Sequence, residues 1–264
     1  KLCANTPGSW KPVTIESDAL KPDWPAPDRV RAISTTRAGG VSGRPWNSLN
    51  LGVHVEDAPD HVQENRRRLA ESLKLDSARI GWLNQVHGTA VVELTPNNVG
   101  QTAEADASYT RHPGIACAIL TADCLPVILA DREGTVVGAA HCGWRSLCGG
   151  VIENLVSEMA VAPETLQAWL GPAIGPDSFE VGPEVRDAFL DHGPKAVHAF
   201  RAEGARSGHF MADIYALATL RLNHLGVSNV TGGGLCTVKD SDRFFSYRRD
   251  GRTGRMATLV WLTS

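Results

Sequence analysis

Short apolar and β-branched runs, bounded by glycine, proline or charge, dominate the middle of the chain. Residues 80–83, 90–94, 115–121, 127–130 and 135–140 have the length and composition of strands. Residues 30–35 alternate and predict another strand, and 227–231, 243–247 and 257–262 predict three more. Val62, Leu69 and Leu73 fall on one face of a helix opening near Asp57, with Asp57 as its cap and Pro59 in its first turn. Further helices are predicted over 150–159, 184–190 and 213–225. Strands and helices mix without a regular βαβ rhythm. The pattern predicts a single α/β (α+β) domain with mixed β-sheets over 29–264, preceded by an extended, proline-rich arm over 1–28. No GxGxxG or GxxxxGKS element is present, so nucleotide-cofactor and P-loop readings have no support.

Composition narrows the class. The chain has 264 residues, 42% hydrophobic and 21% charged, with a net charge of −3, which is ordinary globular composition and unlike a polyanion-coating protein. Its longest apolar stretch, 115–120, is far below the roughly 18 residues of a membrane span. The expectation is a cytoplasmic protein with a small-molecule substrate and neither nucleic acid nor membrane as partner. Six cysteines without a CxxC pair are expected as free thiols.

Three segments place reactive side chains at strand ends: Asn84 to Gly88 (NQVHG), Thr121 to Pro126 (TADCLP) and Ala140 to Arg145 (AHCGWR). Between the last two, Asp131 and Gly134 suit the first and fourth positions of a type I turn. With Arg132 and Glu133 central, facing residues sum to 265, and Cys124 faces His141. A bulge at Gly134 would bring Cys142 opposite instead. Adding His87 gives three N/S ligands with an open fourth position, the pattern of catalytic zinc, which lowers the pKa of bound water to about 7. Two other readings stand beside it: a Cys124–His141 nucleophile pair, and plain structure, with His87 capping a turn and Cys124 buried as a small hydrophobe. Arg37 sits in a glycine loop suited to an anion. Arg243, Arg248, Arg249, Arg252 and Arg255 interleave with Phe244, Phe245 and Tyr247, a candidate shelf for a ring beside phosphate. Asp123 could orient a ligand or shuttle a proton.

At these residues the chain resembles a known family. TTRAGGVS, SLNLGVHVED, NQVHG, ADASYT, TADCLPV, AAHCGWR, LGPAIGP, FEVG and FFSYRRD occur in order, as in the YfiH or laccase-domain family, also called polyphenol oxidase or multicopper oxidase-like. The resemblance implies an α/β/β/α layering similar to the deamidase domain of cytotoxic necrotizing factor. It implies metal ligands at His87, Cys124 and His141, and a functional arginine at Arg37. It further implies phosphorolysis of adenosine, inosine, guanosine and methylthioadenosine, adenosine deamination, copper-dependent phenol oxidation, or editing of peptidoglycan precursors. Zinc is the expected metal, with copper as the alternative. Arg37, Arg248, Phe244 and Tyr247 are the expected substrate contacts. A four-copper relay needs His-x-His pairs, and none of the nine histidines is so spaced. Laccase chemistry therefore ranks last.

Overall fold

A computed structural model of the chain describes residues 15–202 and 204–264. Val30–Ser34, Met256–Leu262, Ala116–Thr121 and Ile80–Gly81 form a four-stranded sheet in that order. Asn229–Gly232, Leu166–Leu170, Leu125–Asp131, Val137–Cys142, Ala107–Thr110 and Val91–Glu93 form a six-stranded sheet. Each combines parallel and antiparallel pairs, as expected of mixed sheets.

Strand alternation sorts the core into layers. Cys117, Ile119, Ile128, Ala130, Val137, Ala139 and Val260 lie between the two sheets. Their neighbours Ala116, Ala118 and Leu120 turn the other way, toward Leu69 of the helix Pro59–Leu73. Val127, Leu129 and Ala140 face the opposite outer layer, where the helices Val151–Met159 and Ile214–Leu225 pack. The order is helix, sheet, sheet, helix. Central strands covered on both faces read in sequence as nearly unbroken apolar runs. Full burial of side chains such as Ile119 and Ile128 stabilises the layers by about 1.5–3 kcal/mol each.

A buried polar knot fixes the loop that precedes the helix Pro59–Leu73. Asp57 Oδ2 accepts from Ser42 Oγ at 2.6 Å and from Asn50 Nδ2 at 2.9 Å. Asn65 Nδ2 donates to Ser42 Oγ and to the Asn50 carbonyl, and Asn65 Oδ1 accepts from the Val41 N–H. Asp57 is thus not the helix cap: Ala58 holds that position, and the carboxylate is spent on the loop.

Other expectations shift for identifiable reasons. Of the arm over 1–28, residues 1–14 lie outside the described residues. Ile15–Asp18 is helical, Leu20 bridges Ser34, and Trp24 packs on the inter-sheet core. Residues 243–247 are not a strand. Phe244 and Phe245 are consecutive and both fully buried with Ala122 and Met256, which a pleat cannot achieve on one face, and Ser246 caps the short helix Tyr247–Asp250. An additional helix, Trp144–Gly149, precedes the predicted one, and the two meet at Gly150, whose φ of 100° suits a residue without Cβ.

Candidate metal centre

The hairpin between Leu125–Asp131 and Val137–Cys142 carries two of the three expected ligands. Its turn forms as predicted, with the Gly134 N–H donating to the Asp131 carbonyl. The Asp131 carboxylate also accepts from Thr135 N–H, Thr135 Oγ1 and Val136 N–H. That capture enlarges the loop, so Pro126 rather than Cys124 pairs with His141, and facing residues sum to 267. The register is displaced by two from the expected 265. Because side chains alternate with period two, the face is preserved. Cys124 and His141 continue the row of Ile128, Ala130, Val137 and Ala139 to the mouth of the inter-sheet layer, as diagonal neighbours. Cys142 faces the helix layer instead and is fully buried; burial pushes its thiol up.

His87 arrives from the loop after Leu83–Asn84, a strand paired with Ala103–Glu104. Gln85 clamps that loop to the four-stranded sheet: its Nε2 donates to the Leu120 carbonyl, and its Oε1 accepts from the Leu120 N–H, each at 2.8 Å. His87 itself takes a left-handed φ of 62°. Asp106, fully buried, holds the turn in place. Its carboxylate accepts from the N–H groups of Val86 at 3.1 Å, His87 at 3.0 Å and Gly88 at 2.6 Å. The same carboxylate lies 2.8 Å from His141 Nδ1. An ionised carboxylate only accepts, so Nδ1 carries the proton and Nε2 is left as the free donor atom.

The ligand atoms of His87, Cys124 and His141 lie within 4.8 Å of one another, and Cys124 Sγ is 3.8 Å from His87 Nε2. Standard Zn–S and Zn–N lengths with a tetrahedral angle put S and N about 3.5 Å apart. The donor set therefore fits one zinc ion, and an imidazole–thiolate set also suits a single copper ion. Among the described residues it is the one group of three such ligands, which leaves no relay of several coppers there. Gly143 completes the enclosure: a Cβ there would lie 2.8 Å from His87 Cδ2 and 3.2 Å from Cys124 Sγ.

In the metal-free protein the electrostatics favour a thiolate at Cys124 beside a protonated His141, which gives up its Nε2 proton on ligating a metal. Burial opposes a thiolate at Cys124, but the His141 charge and hydrogen bonds from both imidazoles prevail and bring the thiol down to about 6. Burial likewise opposes a charged His141, yet the Cys124 and Asp106 charges raise it to about 9. Asp106 is held below the usual carboxylate range. Burial works against this, and the donors His141, Gly88 and Val86 outweigh it.

The remaining expected site residues divide. Asp123 sits beside the ligand thiolate with a φ of 98°, but its carboxylate turns away, accepting from Thr237 Oγ1 and the Arg248 N–H, each at 2.6 Å. It is a brace for the Cys124 turn rather than an orienter of a ligand. Tyr247 is 62% exposed, whereas the rings of Phe244 and Phe245 are fully buried and offer no face for stacking. Arg37 donates to the carbonyls of Asn47 and Ser241 and lies 4.8 Å over the Phe245 ring, stitching two loops together. Arg248 donates to the Glu180 carbonyl and lines a cleft of about 510 Å³ with Asp177, Ser178, Glu180, Arg201 and Met211. None of His87, Cys124 and His141 lines that cleft. Asp106 and Gly143 pack directly against the candidate site and were passed over by motif reading, although ADASYT and AHCGWR contain them. An acid opening a run of small strand residues was the signal for Asp106.

A family model described as multi-copper polyphenol oxidoreductase laccase matches residues 31–263. A purine nucleoside phosphorylase of Pseudomonas aeruginosa is 57% identical over 92% of this chain and 98% of its own length. The purine nucleoside phosphorylase YfiH of Escherichia coli is 52% identical over 93% of this chain and 99% of its own. The crystal structure of the Neisseria meningitidis protein NMB0706 superposes with a TM-score of 0.89 at 51% identity, covering 94% of this chain and all of that one. No helix among the described residues is long and apolar enough to cross a membrane. Sequence motifs, layered fold and these likenesses agree: the chain belongs to the laccase-like family of the YfiH proteins.

Proposed function

We propose that the protein is a zinc-dependent purine nucleoside phosphorylase that acts on adenosine, inosine, guanosine and methylthioadenosine and also deaminates adenosine. The observation that carries this reading is the convergence of His87, Cys124 and His141, with Asp106 buried behind two of them, in a chain whose relatives bear that enzyme's name. His87, Cys124 and His141 would hold the ion, which supplies Lewis acidity at the open side of the site. In phosphorolysis a phosphate oxygen bonds to the anomeric carbon as the glycosidic carbon–nitrogen bond breaks. The electron pair and the proton surrendered by phosphate pass to the departing purine. Tyr247, with its ring exposed, is the group on which the base stacks, and Arg248 beside it supplies polar contacts to the nucleoside. Phe244 and Arg37 act from behind, as the packing under that shelf. The protein acts in the cytoplasm, on small molecules. The test is to incubate zinc-loaded protein with inosine or adenosine, with and without phosphate. Expected products are the free base with ribose 1-phosphate, and inosine from adenosine. Neither product at full metal occupancy sinks the reading.

One observation favours a second reading. Cys124, His141 and Asp106 are also the nucleophile, base and orienting acid of a cysteine hydrolase, and the lowered thiol is a thiolate at neutral pH. Such an enzyme keeps its activity in chelator and in the variant His87→Ala; the zinc enzyme loses it in both.

A further inference from the structure

Two loops meet beside the metal centre, residues 50–56 and 252–255. The Leu51 N–H donates to the Arg255 carbonyl at 3.1 Å, and the Arg255 N–H donates to Asn50 Oδ1 at 2.9 Å. Asn50 belongs to the buried polar knot, which ties this clasp to Asp57 and Asn65. An Arg252–Glu56 ion pair of 3.2 Å closes the outer edge. A Cβ at Gly52 would lie 2.8 Å from Arg255 Cγ, so the bare backbone there makes room for the arginine stem.

The guanidinium of Arg255 spends Nη1 on the carbonyls of Thr253 and Gly254, both at 3.0 Å. Its centre lies 6.0 Å from the Tyr247 ring, and it is near enough to the ligand thiolate for the charges of Cys124 and Asp123 to act on it. His54, at the tip of the first loop, has Arg255 and Arg66 as its cationic neighbours; burial and these two arginines hold its imidazole low, so it offers a neutral N–H donor. Among the described residues neither Arg255 nor His54 has a carboxylate partner. A cationic corner with spare donors, fixed beside a metal site and an exposed aromatic ring, is the arrangement that binds a small oxyanion.

We propose that this corner seats inorganic phosphate, with Arg255 as the principal donor and His54 as the second. The assignment rests on the phosphorylase reading, because that reaction requires a phosphate beside the nucleoside. It gives the phosphate to Arg255 rather than to Arg37 or Arg248, the two arginines expected to contact substrate. Arg37 is turned onto carbonyls and has Asp250 and Asp242 among its charged neighbours. Arg248 lines a cleft that none of His87, Cys124 and His141 enters, and its guanidinium is turned onto the Glu180 carbonyl. Of the anionic groups near the Arg255 corner, Asp123 is engaged by Thr237 Oγ1 and the Arg248 N–H, and Glu56 is paired with Arg252.

The test compares wild type with Arg255→Gln, Arg255→Lys, His54→Gln and Arg37→Gln, each checked for zinc content and melting temperature. Charged hydrogen bonds of this kind translate to an increase of about tenfold or more in the KM for phosphate in Arg255→Gln. About threefold is expected in His54→Gln, with the KM for inosine changed less than about twofold in both. Arg255→Lys, which keeps the charge and the stem, should recover part of the loss. Direct calorimetric titration of inorganic phosphate into zinc-loaded protein without nucleoside should show the same order. Should wild type bind phosphate but turn over no nucleoside, the phosphorylase reading fails alone, and the titration still decides the seat. Phosphate binding unchanged in Arg255→Gln, absent in wild type, or lost only in Arg37→Gln overturns the proposal.

Discussion

Replacing Asp106 by asparagine tests the logic of the site at its most connected point. The aspartate carboxylate serves four donors: Oδ1 takes His141 Nδ1–H and the His87 N–H, and Oδ2 takes the N–H groups of Val86 and Gly88. An asparagine amide has one oxygen and one NH2, so whichever way it turns, two buried donors face another donor. Two lost charge-assisted bonds, softened by relaxation of the His87 turn, cost about 2–4 kcal/mol. In a domain of this size that lowers the melting temperature by about 5–15 °C. The metal is affected separately, since disturbing the group behind a ligating histidine weakens binding about 10- to 100-fold. Zinc affinity would be measured by competition with a chromophoric chelator, and stability by thermal unfolding of the metal-free protein. The pH dependence supplies a further sign. The folded-state pKa of Asp106 lies below its unfolded value, so its stabilisation is present above the unfolded pKa of 3.8 and is lost as pH falls through the lower, folded value. Asp106→Asn should therefore lack that part of the acid limb. A variant that melts within a degree or two of wild type and binds zinc with unchanged affinity would refute the account.

Three further outcomes follow from named contacts. Gly143→Ala keeps an ordinary backbone, since Gly143 has a φ of −62°, but drives a methyl into His87 and Cys124; zinc affinity should fall by about tenfold or more while metal-free stability stays close to wild type by thermal unfolding. In metal-free protein, alkylation of Cys124 by iodoacetamide should rise with pH through about 6, because the lowered thiol ionises there; mass spectrometry should find Cys117 and Cys142 unmodified and zinc protective, and a midpoint near that of an ordinary thiol contradicts the His141 coupling. Asn65→Ala removes three donor contacts and one acceptor contact from the buried knot; it should cost about 3–5 kcal/mol, read by denaturant unfolding, and a change below 1 kcal/mol would show that the loop is held otherwise.

Hydrophobic periodicity alone determined which segments are strands and helices over most of the chain, because strands buried on both faces leave continuous apolar runs. Residue type drew attention to His87, Cys124 and His141 at strand ends but left a metal site, a Cys–His pair and plain structure open, and it was the family resemblance that implied the ligand set. The folded arrangement decided what local pattern does not encode. The Asp131 carboxylate reset the hairpin register by two, and the consecutive burial of Phe244 and Phe245 replaced a predicted strand with a turn. Above all, only packing shows which polar groups face one another. Asp106 joins His87 to His141, and Asn50 joins Arg255 to the loop of His54, through contacts between residues distant in the chain. Such pairings are fixed by the fit of whole layers, which no stretch of sequence carries by itself.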